Sequence, residues 1–130
     1  MALVIRYVTV LVVLGVGDFL WLSWFAPNFF RPILGDILLE TPRWSGAVLF
    51  YLLYTAGVLL FPLALARDAV TALIYGGLFG FLAYMTYDAT NYATLKAWTA
   101  PLALIDTGWG AVLTAAATLA GYWISQRFAP

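Results

Sequence analysis

Four stretches of the chain, Leu3–Phe25, Trp44–Ala66, Ala69–Asn91 and Pro101–Ile124, run almost unbroken in apolar side chains, and the charged residues fall mostly between them. Each can cross a hydrocarbon core of about 30 Å, which takes about 20 helical residues. None alternates polar and apolar positions over ten-residue segments, as a membrane barrel strand does. The pattern predicts an all-α integral membrane protein: a four-helix antiparallel bundle forming a single transmembrane domain over residues 1–130. Ala66-Arg67-Asp68 is so tight a turn that the second and third helices must be antiparallel neighbours. Residues 26–43, with Pro27, Pro32 and Pro42, are read as a long loop. Its middle, FFRPILGDILLE, suits either a short interfacial helix or a solvated segment. The first run is read as a membrane helix and not a cleaved leader, because Asp18 interrupts it and no small-x-small site is evident.

Composition strengthens the membrane reading. The chain is 65% hydrophobic and 9% charged, with a mean hydropathy of +0.95. A soluble domain of this size needs far more polar surface. Net charge is zero without a basic cluster, so nucleic acid binding has no support. Cysteine and histidine are absent, which removes thiol nucleophiles, imidazole bases and the usual zinc sites; no metal site and no cofactor fingerprint is evident. The side holding the termini carries Arg6, Arg67 and Arg127, and the other carries Arg31, Arg43 and Lys96. With the bases tied, the positive-inside rule favours neither orientation. The smaller number of acids on the terminal side leans the reading towards cytoplasmic termini.

Small residues mark helix contacts: Gly76-x-x-x-Gly80 on the third span, and Gly110, Thr114, Ala117 and Gly121 on the fourth. Trp21, Trp24, Trp44, Tyr92, Trp98 and Trp123 lie near span ends, where amphipathic rings form interfacial belts.

The candidate chemistry is a layer of acids. At 1.5 Å per residue, Asp18 lies about 22 Å into the first span and Asp106 about 8 Å into the fourth from the opposite face. Asp88, late in the third span, comes to the same level. Ionisable groups in a span are costly unless paired or hydrated, so they face the interior and mark functional candidates. Crowded carboxylates in a low dielectric call for a proton or a cation. Around them, helical spacing gathers Trp21, Tyr51, Tyr84, Tyr87, Thr90, Asn91 and Trp109, with Lys96 as a prospective counter-charge. The alternative is a structural polar knot that holds the helices in register.

The segments DFLWL (Asp18–Leu22), LFYLLYTAGVLLF (Leu49–Phe61), TYDATNYATLKAW (Thr86–Trp98) and LIDTGWG (Leu104–Gly110) together resemble a family of small bacterial membrane proteins, domain of unknown function 2177 (DUF2177). The resemblance runs over nearly the whole chain and implies a stand-alone four-helix protein of the bacterial inner membrane. It brings no activity with it. Three roles then compete. The first is binding of a small amphipathic, lipid-like ligand, with Asp88, Asn91 and Lys96 at its head group and Tyr84, Trp21 and Trp109 along its apolar body. The second is an accessory or structural subunit of a larger membrane complex or homo-oligomer. The third is an enzyme of lipid modification using a carboxylate base, for which no nucleophile or metal-ligand set is present. Membrane lipids are partners under all three.

Overall fold

The computed structural model describes residues 1–39 and 41–128. They form four helices, α1 (Ala2–Ile37), α2 (Trp44–Leu63), α3 (Ala69–Thr94) and α4 (Ala100–Phe128), each long and apolar enough to cross a membrane. The fourth is the axis of the bundle. Half of its most apolar stretch is buried, against 17%, 22% and 17% for α1, α2 and α3. Helix α3 lies along it for most of its length and α1 packs on it as well. Helix α2 packs on α1, and its backbone approaches α3 and α4 chiefly through its last turn, Leu59–Leu63.

Side-chain size explains this arrangement. On α3 the buried positions Ala72, Gly76 and Gly80 fall at four-residue steps along one row, with Asp88 two such steps further on. A Cβ on Gly76 would meet Thr118 and the Thr114 carbonyl, and one on Gly80 would meet Thr114 and the Gly110 carbonyl. One on Gly110 would run into the Tyr84 ring. Lipid tails are as apolar as leucine, so helix association relies on close packing, which these absent side chains permit. The glycines thus join two helices of one chain, and the faces they form are already occupied. Val10 and Leu14 of α1, Val58 and Leu63 of α2, and Leu113 and Ala117 of α4 make the central apolar core. Gly121 lies against Val10 and Leu63 at its edge.

Local chemistry sets the helix ends. Asp68 caps α3 by accepting from the Thr71 N–H at 2.8 Å, while the Asp68 N–H donates to Thr71 Oγ1 at 3.0 Å. The Thr71 backbone N–H, and then the Thr71 side chain, hold the exposed Asp68 carboxyl below the usual carboxylate range. At the start of α4 the Leu102 N–H donates to Thr99 Oγ1 at 3.2 Å.

Over residues 26–37 the structure corrects the expected long loop to helix, the alternative held open for its middle; Glu40 lies outside the described residues. Helix α1 does not stop at Phe25; it continues through a widened π turn at Ala26–Phe30, an α turn at Arg31–Leu34 and a 3-10 turn at Gly35–Ile37. Pro27 lacks the N–H that would bond back to the preceding turn. The helix absorbs the loss by widening, with the Arg31 N–H reaching Ala26 O, while Asn28 Nδ2 donates to Trp24 O at 2.6 Å. Pro32 falls at the start of the following turn, where a proline is tolerated. At about 54 Å, the 36 residues of α1 exceed the hydrocarbon thickness by a wide margin. The excess is held by Phe25 and Leu34, which are buried against Trp98, Leu102 and Ala103. The extension therefore lies over the connection between α3 and α4. A second π turn, Leu59–Leu63, contains Pro62 and ends α2. The remaining expected boundaries shift by a few residues, the largest change being at the end of α4.

Candidate functional site

Asp18 is 7% exposed and held by two donors: Tyr51 Oη at 2.5 Å on one oxygen and Trp109 Nε1 at 2.8 Å on the other. These bonds join α1 to α2 and α4. They also orient the aromatic wall, since the Trp109 ring stacks on Trp21 with centroids 4.7 Å apart and planes 4° from parallel. Beneath them, Tyr54 of α2 shares a 2.7 Å hydrogen bond with Thr114 Oγ1 of α4.

The second acidic group is the pair Asp88 and Asp106, whose carboxyls face one another across α3 and α4. Asp88 is fully buried and its Oδ2 accepts from Thr107 Oγ1 at 3.0 Å. Its Oδ1 and the nearby Trp98 Nε1 are both buried without completing a hydrogen bond. Asp106 is 7% exposed, and its side chain is hydrogen-bonded to the Asp88 carboxyl. Among those residues, no three acidic groups stand close enough to hold a metal ion.

A cavity of about 310 Å³ opens beside these acids, lined by Asp18, Trp21, Leu22 and Phe30 of α1, Phe50 of α2, Ala83, Tyr84 and Tyr87 of α3, and Asp106 of α4. It lies where α2 stands off from α3. Its walls are almost wholly apolar or aromatic, and its polar groups are carboxylates and tyrosine hydroxyls. Leu22, Phe50 and Tyr87 are each at least 40% exposed, so its rim faces the lipid-facing surface of the bundle.

Of the residues singled out in the sequence, Asp18, Trp21, Tyr84, Tyr87 and Asp106 line this cavity. Tyr51 and Trp109 support it through Asp18, and Asp88 stands behind Asp106. The structure does not bring Thr90, Asn91 or Lys96 to it. Thr90 Oγ1 donates to Thr86 O at 2.6 Å on the exposed side of α3. Asn91 is half-buried one turn beyond Asp88. Lys96 is exposed in the turn after α3, so it does not act as the expected counter-charge. Trp98, expected in an interfacial belt, is turned inward instead, as is part of Trp21; Trp24, Trp44, Tyr92 and Trp123 are more than half exposed. Leu22, Phe30, Phe50 and Ala83 went unnoticed in the sequence. Phe30 had no signal there, because its position depends on α1 continuing past Pro27. Phe50 did have one: it precedes Tyr51 at the depth of the acids.

A family model described as "Predicted membrane protein (DUF2177)" matches residues 3–123 of the chain. No curated protein and no solved structure matches it.

Proposed function

We propose that this chain, which belongs to the DUF2177 family of predicted membrane proteins, is a multi-pass membrane protein that binds a small amphipathic, lipid-like molecule in the cavity lined by all four helices. The observation that carries this reading is the cavity itself: about 310 Å³, walled by aromatic rings, with Asp18 and Asp106 converging on it from different helices. Its size falls at the lower end of small-molecule sites, which are mainly apolar with a few placed polar groups. A purely structural knot of acids gains little, since hydrogen bonds between membrane helices average about 0.6 kcal/mol. It also calls for no empty space beside the acids. The small-residue faces offered for docking onto a larger complex are used within the chain, which takes away the main support for a subunit role.

Native mass spectrometry from mild detergent tests the reading. Wild type should carry a bound mass that is missing from Ala83→Trp, in which an indole fills the cavity, with helicity unchanged. Equal bound mass in both, or none in either, would sink it. We further propose cytoplasmic termini in a bacterial inner membrane; the Lys and Arg counts tie and acids weigh little in the rule, so a labelling test decides. Gln126→Cys in this cysteine-free chain should then resist an impermeant maleimide applied outside intact spheroplasts.

A further inference from the structure

The cavity's polar groups are of one electrostatic kind. Asp18 and Asp106 line it, and none of its lining residues is basic. The bases nearest in sequence, Arg31 and Lys96, are exposed beyond the spans' apolar stretches. An anionic head group placed there would meet Asp18 and the Asp88–Asp106 pair, with no base to offset them, in a medium of low dielectric where repulsion is weakly screened.

The hydrogen-bonding pattern narrows the class further. Both oxygens of Asp18 already accept from Tyr51 and Trp109, so this carboxylate presents charge to the cavity more than it presents a vacant acceptor. Asp106 is more than nine-tenths buried at the cavity wall, with the Asp88 carboxyl behind it as its hydrogen-bonding neighbour. Facing them are Trp21, Phe30, Phe50, Tyr84 and Tyr87. Aromatic faces attract organic cations by about 0.5–2 kcal/mol each, most strongly where water is excluded. Since no three acids gather on one point among the described residues, the arrangement suits a bulky, weakly hydrated cation better than a small metal ion.

We infer that the ligand of this cavity is an organic monocation, a quaternary or protonated amine joined to an apolar arm, with its charge between Asp18 and Asp106 and its substituents against the aromatic walls. This rests on the cavity being a binding site, and the test separates the two claims. Protein reconstituted in zwitterionic lipid nanodiscs is titrated with benzyltrimethylammonium and, separately, with neopentylbenzene, its uncharged carbon isostere. The cation should bind at least roughly tenfold more tightly, a difference within reach of ion pairing and cation–π contact. Asp106→Asn should lose about that factor, Asp106→Glu should retain most of it, and Asp36→Asn, exposed and remote, should leave it unchanged. Equal affinity for cation and isostere, abolished by Ala83→Trp, overturns the cation inference and leaves the binding reading intact. Failure of both probes to bind overturns both. Should Asp106→Asn not fold, the wild-type comparison of the two probes decides alone.

Discussion

Tyr51 and Trp109 each bring one hydrogen to Asp18, and through it they connect three helices at a single carboxylate. Each bond belongs to a class that contributes about 0.6 kcal/mol on average and up to about 1.7 kcal/mol. Tyr51→Phe should therefore lower stability by an amount in that range, and Trp109→Phe by more, because it also truncates the indole stacked on Trp21, measured by reversible unfolding in mixed micelles. Their effects should couple in a double-mutant cycle with Asp18→Ala, and strict additivity would contradict the shared anchor. A different carboxylate governs acid sensitivity outside the membrane. The Asp68 carboxyl is held below its ordinary value by the Thr71 backbone N–H and then by the Thr71 side chain. Because the folded value is depressed, its contribution is present above the ordinary aspartate value of about 3.9 and is lost as pH falls through the depressed one. Protection of the Thr71 amide, corrected for intrinsic exchange, should hold from about pH 6 to about pH 4 and fall below that. Asp68→Asn should remove this pH dependence. Acids were the residues most legible in the sequence, since counting along a helix gives depth. Lys96 and Trp98 were not legible, because the turn after Thr94 decides which of the two faces inward, and depth arithmetic does not reach into a turn.

At the scale of the element, the α3–α4 contact depends on what Gly76, Gly80 and Gly110 lack. Gly110→Ala places a methyl group against the Tyr84 ring, and overpacking of this kind costs about 1–3 kcal/mol. Because Tyr84 also lines the cavity, ligand affinity should fall along with thermal stability. Gly15→Ala, with nothing within 4 Å of the added carbon, should be neutral in both assays. A Gly110→Ala protein as stable as wild type would mean the helices can move apart without loss. The four spans could be read from hydropathy because the bilayer fixes how many apolar residues a crossing needs. The continuation of α1 could not. A proline ordinarily signals a break, and whether the chain stops or widens into a π turn depends on what waits beyond it. Here Trp98, Leu102 and Ala103 receive Phe25 and Leu34. Those two segments lie far apart in sequence, and rules that read only local windows do not see such a contact.

Taken whole, the molecule is three helices arranged around α4, with the α2 backbone close to α3 at its last turn and standing off from α3 beside the acids. The cavity is built from a single chain, so binding should saturate at one probe per protomer whatever the oligomeric state, which equilibrium dialysis at several protein concentrations can establish. Composition made the membrane environment legible, but not the opening, because a gap between helices leaves no mark on hydropathy. That opening has a consequence for how occupancy is to be expressed. Its rim of Leu22, Phe50 and Tyr87 is exposed on the apolar surface of the bundle, so the amphiphile proposed above should arrive by lateral diffusion within one leaflet after partitioning from solution. The governing quantity is then its mole fraction in that leaflet. Adding empty vesicles at a constant total amount of amphiphile should strip the site by dilution in two dimensions, and samples matched in amphiphile-to-lipid ratio should show equal occupancy even when their aqueous volumes differ.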